Sequence, residues 1–356
     1  MDKGHFEQRR ETLRARMRQA GLSALVVSLD ANRFYLSGFE LHDPQADESA
    51  GCLVILADGR DRLCTDGRFF DAARRVWEEE RIFLYHGRAM EQVNALLRDA
   101  ARGTVGFEAR QISVEAFDLL SPGLSLQRAD GMVEGLRLIK EPEEIRRLEA
   151  SCRLNQALMD WVPGVLKPGR SEAEVAWDIE QFFRNNGARE SAFAGIVAVG
   201  ANAALPHAEP GEDRLKENCG ILIDVGCRVK DYCSDQTRSF WVGDAPDGEW
   251  LRHLDLIREA QELAIRAIRP GAGLAGIYAL ARKRLDDAGV GELFTHGLGH
   301  GIGLQTHEAP TLNPRAEGVL RAGMVVTVEP GLYVSGRSGV RWEHMVLVTE
   351  DGARVL

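Results

Sequence analysis

The chain lacks any run of apolar residues long enough to span a bilayer, and Met1–Arg18 is too polar and charged for a signal peptide. It also lacks a cationic excess. Against 54 Asp and Glu stand 44 Lys and Arg, a formal net charge of −10, which argues against nucleic acid as a partner. No block of like charge marks a tail. The chain has no C-x-x-C pair either: Cys52, Cys64, Cys152, Cys219, Cys227 and Cys233 lie singly in apolar segments. That disfavours a disulfide framework or a thiolate metal site and fits reduced, buried thiols in a cytoplasmic protein. What is present, 356 residues with 44% hydrophobic side chains, is enough for two domains with real cores.

The first part alternates strand and helix signals. Leu13, Met17 and Ala20 recur at helical spacing before Gly21, and Ser23–Leu29 reads as a buried strand. Asn32–Gly38 reads as a turn into a second element. The stretches 51–56 and 62–65 flank an Asp58-Gly59 hairpin turn. Residues 68–80 and 90–102 read as helices and 104–107 as a strand, while Asp43–Glu48 reads as a solvated acidic loop. This is a compact α/β domain over residues 1–137 without a concentrated chemical set. Leu138-Ile-Lys-Glu-Pro142 marks a boundary, because proline and the acids after it suit the first turn of a long helix.

Residues 138–356 carry a weak internal repeat. Lys167-Pro-Gly-Arg-Ser171 opens a helix with a Ser171/Glu174 capping box, closing at Asn186-Gly187. About a hundred residues on, Arg269-Pro-Gly-Ala-Gly273 opens another, closing at Ala288-Gly289. A long amphipathic helix precedes each, the second marked by Trp250, Leu254, Ile257 and Ala264, and β-rich sequence follows each. The pattern predicts two helix–helix–sheet halves about a pseudo-twofold axis, sharing one sheet with helices on one side.

The chemistry collects at the ends of strands. Gly220–Asp224 is an apolar run ending in a carboxylate, and Lys230-Asp231 is a polar turn. Asp235 follows, so the stretch predicts a hairpin with two acids facing each other. Met324–Glu329 repeats the apolar run and the terminal acid, and Gly339–Thr349 reads as the returning strand. There, period two sets Arg341 and Glu343 on one face and Trp342 on the other. Between them runs His296-Gly-Leu-Gly-His300-Gly-Ile-Gly-Leu-Gln-Thr-His307-Glu308, whose glycines let backbone approach closely and the histidines project. Side-by-side carboxylates repel unless a cation or a proton lies between them. Four of them with histidine suit one or two divalent ions such as Mn, Co, Fe(II) or Zn.

These motifs, D-x-G…S-D-x-T-R (Asp224–Arg238), H-G-x-G-H-G-x-G-L-x-x-H-E (His296–Glu308), T-x-E-P-G-x-Y (Thr327–Tyr333) and G-x-R-x-E (Gly339–Glu343), closely resemble the creatinase/prolidase/aminopeptidase P group of pita-bread metallopeptidases. The resemblance covers essentially the whole chain. It implies an α/β (α+β) fold: a creatinase-like domain over 1–137 and a catalytic pita-bread domain over 138–356. It implies two divalent ions, manganese first and cobalt, zinc or iron as alternatives. Asp224 would bind one ion, Asp235 and Glu343 would bridge both, and His300 and Glu329 would complete the other. His207 matches a histidine that contacts substrate and the tetrahedral intermediate, and His307 one near the scissile bond. His296 and Arg341 match outer positions that orient ligands or substrate. His344 departs from the Asp or Asn common in the group and, by strand alternation, points away from the face of Glu343.

The implied activity is hydrolysis of the bond between an N-terminal residue and proline, with Glu329 shuttling a proton. The implied substrate is a small peptide with proline second, acted on by a cytoplasmic homodimer without nucleic-acid or membrane partners. The N-terminal domain would mediate dimerisation and limit substrate length. Arg315 and Arg337 are the candidates to cap a dipeptide carboxylate, while Gly297 after His296 favours longer peptides. The competing readings are a non-catalytic peptide- or protein-binding pita-bread module and another hydrolase or lyase on the same fold.

Overall fold

A computed structural model describes residues 3–43, 45 and 48–356, with the side chain of Lys3 left out. The start of the charged N-terminal segment and part of the acidic loop at 43–48 thus lie outside the described residues. The chain divides into two compact units, Met1–Arg137 and Leu138–Leu356.

The first unit is built on β1 (Leu22–Val27), β2 (Cys52–Leu56), β3 (Arg62–Thr65), β4 (Ile82–Leu84), β5 (Thr104–Phe107) and β6 (Ser125–Arg128). They form a mixed sheet in the order β4-β3-β2-β1-β5-β6. Its helices are α1 (Lys3–Gln19), α2 (Asp30–Ser37), α3 (Phe70–Val76), α4 (Ala89–Ala100), α5 (Val114–Leu120) and the short α6 (Glu134–Arg137). The Asp58-Gly59 hairpin forms as expected, with Leu53 opposite Leu63. Two expectations need correction. Asn32–Gly38 is not a turn but the body of α2, because Gly38 at φ 73° supplies its left-handed C-cap and ends a helix there. The helix expected over 68–80 is only the short α3, followed by a 3₁₀ turn at Glu79–Arg81 that feeds edge strand β4.

The second unit opens with α7 (Pro142–Trp161), which has proline in its first turn and a Glu141/Glu144 capping box. Then come α8 (Glu172–Asn185), β7 (Glu190–Ser191), β8 (Ile196–Val199), β9 (Cys219–Val225), β10 (Cys227–Val229), β11 (Tyr232–Cys233) and β12 (Gln236–Val242). The second half repeats the plan with α9 (Gly248–Ala267) and α10 (Leu274–Asp287). Its strands are β13 (Gly299–Gly301), β14 (Glu308–Leu312), β15 (Val325–Val328), β16 (Gly331–Val334), β17 (Ser338–Arg341), β18 (His344–Val348) and β19 (Ala353–Val355). Ser171 caps α8 through the predicted box. Each half has its own core. Leu158, Val175 and Phe183 pack on Val197, Ile221 and Ile223, and Ile257, Ala264 and Ile277 pack on Val326, Val328 and Val346. Each fully buried large aliphatic in these clusters contributes about 1.5–3 kcal/mol.

The strands do not form one shared sheet. Among the described residues they fall into separate ladders, β11-β10-β7, β12-β9-β8, β14-β13-β15-β18-β19 and β16-β17. Two long hairpins organise them. In the first, β9–β10 runs against β11–β12 in one register, with Thr237 opposite Asp224 and Cys233 opposite Arg228. Lys230 and Asp231, both at positive φ, make the turn. In the second, β15–β16 runs against β17–β18, with His344 opposite Val328 and Arg341 opposite Gly331.

The returning strand expected over 339–349 therefore exists as β17 and β18 in one register, joined by the Trp342 N–H on Pro330 O at 3.3 Å. The Glu343 N–H leaves its own hairpin and donates to Thr237 O of the first at 3.1 Å. That bond is part of the seam between the halves, as is the Cys233 N–H to Gly303 O at 2.9 Å. Among the described residues no helix is long and apolar enough to cross a membrane.

Candidate metal centre

The hairpin registers decide which acids meet. Asp224 stands opposite Thr237, and the same register sets Asp235 opposite Gly226. The two aspartates thus share a face on a diagonal rather than facing directly, and Gly226 has no side chain to intrude. A Cβ on Gly226 would lie 2.0 Å from Ser234 O. In the second hairpin the register that pairs Val328 with His344 sets Glu329 opposite Glu343. Both pairs aim at the seam.

The histidine loop reaches the same place because its glycines let backbone close in. A Cβ on Gly299 would come 1.9 Å from Thr327 O, and one on Gly301 2.1 Å from Ala309 O. His300 Nε2 lies 3.3 Å from Glu329 Oε1 and 3.6 Å from Asp235 Oδ2. Asp235, His300 and Glu343 each offer one ligand atom within 4.8 Å of the others, and all three are buried. Arg341 Nη2 donates to Asp224 Oδ2, so the five expected metal positions lie together with the Arg341 guanidinium beside them.

The electrostatics of this cluster ask for a cation. Burial first, then the neighbouring carboxylates, drive Asp235 and Glu343 well above the ordinary carboxylate range. Burial raises Glu329 to about 8 against the opposing pull of Arg341. Asp224 Oδ1 and Glu343 Oε1 are buried without a hydrogen-bond partner. Burial also lowers His300. Its Nδ1 lies 3.1 Å from Gly301 O, an acceptor only, so Nδ1 carries the proton and the Nε2 lone pair faces the acids. Orphaned carboxylate oxygens, an oriented imidazole and one positive charge against four acids together fit divalent ions bound through oxygen and nitrogen.

A cavity of about 540 Å³ opens over this cluster, lined by Asp224, Asp235, His300 and Glu329 with Phe193 and Ile196 on an apolar wall. His207 and His307 also line it, and both are solvent-exposed. The His307 ring is 4.1 Å from that of His300, and partial desolvation on that side, then the His300 ring, lowers His307.

His296 is lowered to about 4 by burial and then by Arg341. Its Nδ1 donates to Gly297 O at 2.7 Å, so its Nε2 accepts from Tyr333 OH at 2.9 Å. The Tyr333 hydroxyl accepts in turn from Arg341 Nη1 at 2.7 Å. Tyr333 links the two outer residues, a role the sequence reading left unassigned although the residue ends a quoted motif. Thr327 and Thr237 were missed as well. Their hydroxyls donate to Glu329 Oε1 at 3.2 Å and Glu343 Oε2 at 2.8 Å. A threonine two residues before a carboxylate in an apolar strand is the signal that marks Thr327, while Thr237 is found only across the seam.

His344 does point away from this face, contacting Arg238 and Gln261. Arg337 is paired with Glu249 at 2.8 Å, away from the cavity. Arg315 lies in an adjoining groove of about 890 Å³ that shares His296, Gly297, Thr311 and Asn313 with the main cavity.

Residues 146–350 match the family model described as metallopeptidase family M24, and residues 9–139 match the creatinase/prolidase N-terminal domain. The Xaa-Pro dipeptidase of Pyrococcus furiosus is 31% identical over 354 residues, 99% of this chain and 98% of that protein. Among solved structures, an Xaa-Pro dipeptidase from Bacillus anthracis is similar with a TM-score of 0.91 at 32% identity, covering 98% of this chain and 97% of that one. The X-Pro aminopeptidase from Thermotoga maritima gives 0.88 at 28% identity, with 97% and 96% covered.

Proposed function

We propose an Xaa-Pro exopeptidase activity for this chain, which belongs to metallopeptidase family M24 and carries the creatinase/prolidase N-terminal domain. The reaction is hydrolysis of the bond between an N-terminal residue and a following proline. The observation that carries the reading is the convergence of four carboxylates and the free Nε2 of His300 at the base of one cavity. Relatives named as Xaa-Pro dipeptidase and X-Pro aminopeptidase supply the substrate class.

Asp224, Asp235, His300, Glu329 and Glu343 are the residues that hold the metal. Two divalent ions bound there, manganese first and cobalt, zinc or iron as substitutes, would supply Lewis-acid polarisation and a more acidic water. The chain's own groups do the rest. Glu329, at the cavity floor, takes the proton of the attacking water and returns it to the leaving proline nitrogen. His207 and His307 offer N–H groups from the cavity wall to the oxygen of the scissile carbonyl as charge builds on it. Arg341 holds Asp224, and Tyr333 carries that restraint to His296. The unpaired thiols of all six cysteines support a reducing, cytoplasmic setting, and the family resemblance supports a homodimer.

The deciding experiment is Glu329→Gln, which abolishes hydrolysis of Ala-Pro substrates while the melting temperature of the stripped protein is kept. An unchanged rate sinks the assignment. The groove beside His296 and Gly297 favours a second reading on length, in which peptides extending beyond proline run toward Arg315. Hydrolysis of Ala-Pro-Ala as well as Ala-Pro by manganese-reloaded protein supports that reading, and activity on the dipeptide alone removes it.

A further inference from the structure

Behind the carboxylates, on the side away from the cavity, lies a second set of polar contacts that the proposed chemistry does not use. Gln261 of α9 is buried, and its Nε2 donates to two backbone carbonyls, Val328 O at 2.7 Å and Trp342 O at 3.1 Å. These carbonyls belong to the residues immediately before Glu329 and Glu343. With the amide nitrogen so placed, Gln261 Oε1 can only accept, and His344 Nδ1 lies 3.1 Å from it. His344 Nδ1 therefore carries the proton and Nε2 carries the lone pair. That lone pair accepts from Arg238 Nη2 at 2.9 Å. Arg238 Nη1 in turn donates to Thr237 O at 2.8 Å and to Glu343 O. Each donor meets an acceptor along the chain, and the order of the three side chains permits no other tautomer.

We infer that Gln261, His344 and Arg238 form a positioning triad that fixes the backbone at both facing glutamates and so sets the spacing of the metal ligands. The inference rests on the reading of Glu329 and Glu343 as metal ligands. Its physical basis is that a strand end is mobile unless its carbonyls are held. Here the Trp342 N–H stays on Pro330 O at 3.3 Å, but Pro330 has no N–H to return to Trp342 O, and the Glu343 N–H passes to Thr237 O of the first hairpin. Gln261 of α9 supplies the donor that Pro330 lacks at Trp342 O, and Arg238 of β12, held by His344 of β18, supplies one at Glu343 O. Trp342 completes the brace, with the Arg238 and Arg258 guanidinium carbons 4.5 and 4.2 Å from its ring centroid. Gln261, Trp342 and His344 line a separate cleft of about 650 Å³, and none of them lines the substrate cavity. Changes at these positions therefore reach the metal without touching a peptide.

The test uses full-length, metal-stripped protein titrated calorimetrically with Mn²⁺, alongside its thermal midpoint and the kcat and KM for Ala-Pro. Gln261→Met and His344→Leu weaken Mn²⁺ binding by about 10- to 100-fold, the loss typical when a group supporting metal ligands is removed. At saturating Mn²⁺ they lower kcat and leave KM within about twofold, because the cavity wall is intact. His344→Asn, whose amide can accept from Arg238 and donate to Gln261, restores binding to near the parent value. A lowered thermal midpoint with parent-like Mn²⁺ affinity in Gln261→Met and His344→Leu overturns the inference and leaves the triad a packing feature. Failure of the parent protein to bind Mn²⁺ overturns the metal-ligand reading, and this inference with it.

Discussion

Arg341 and Asp224 form a buried ion pair between the two halves of the C-terminal unit, the guanidinium reaching from the second hairpin to the carboxylate on the first. Asp224 has one oxygen on Arg341 and the other without a partner, so it is half-neutralised and half-exposed to whatever cation the cluster holds. Arg341→Met removes the guanidinium that pairs with Asp224. Breaking a buried pair from one side costs about 3–5 kcal/mol. The stripped variant should melt well below the stripped parent, and added Mn²⁺ should recover much of the difference. Parallel melting curves with and without metal check this, and an equal deficit in both states counts against it.

The protonation of the cluster sets a pH dependence for the stripped protein. Glu329 is raised from 4.5 to about 8, and Asp235 and Glu343 move in the same direction. Between those values the folded chain holds protons that the unfolded chain releases, so stability falls as pH climbs through this window. Glu108 in the N-terminal unit, pushed up to about 7 by burial, adds to the same trend. Below pH 6.5 the histidines lowered on folding, His253, His296, His300, His307 and His344, pull the other way. The melting temperature of stripped protein should therefore decline between pH 6.5 and 8. Saturating Mn²⁺ should flatten it, since the ions replace the protons on the cluster but not the one on Glu108.

Gly299 makes a purely steric prediction. Its missing Cβ would sit 1.9 Å from Thr327 O, a backbone atom that cannot swing aside. Gly299→Ala should cost about 1–3 kcal/mol or more and displace His300 with it. Gly297→Ala is the control, because its nearest neighbour, Leu312 O, is 3.3 Å away. Comparable loss of stability and metal binding in both variants would contradict the close-approach argument.

Tyr333→Phe removes the hydroxyl between His296 Nε2 and Arg341 Nη1. A buried acceptor left unsatisfied costs about 1–3 kcal/mol. The expected outcome is a modest loss of stability, a Mn²⁺ affinity little changed, and a clear fall in kcat/KM for Ala-Pro. A variant with parent kinetics would show that the Arg341–Tyr333–His296 chain serves folding alone.

Much of this was legible in the residues. Periodicity and capping located the helices of both halves, since Ser171 and Glu174 form their box through contacts three residues apart and need nothing from the rest of the chain. The apolar run with a terminal acid marked Asp224 and Glu329 because burying such a strand leaves its charge at the strand's end. Local patterns misled where a residue serves two uses. Asn32–Gly38 reads as a turn, yet glycine in the left-handed region ends a helix equally well, and the buried side chains of Tyr35 and Leu36 decide for the helix.

What the sequence by itself determined is the inventory: which acids and histidines are present, and that they lie at strand ends and in a glycine loop. Tertiary structure decided the pairing. Asp224 and Asp235 share a diagonal rather than an opposed pair, because hairpin register depends on a turn at Lys230-Asp231 and on bonds across the ladder. The hydroxyl of Thr237, the guanidinium of Arg341 and the brace of Gln261, His344 and Arg238 all act across separations of 67 residues or more. No periodicity encodes such contacts. They form only when two hairpins, each stable in its own core, meet at the seam where Glu343 passes its N–H to Thr237.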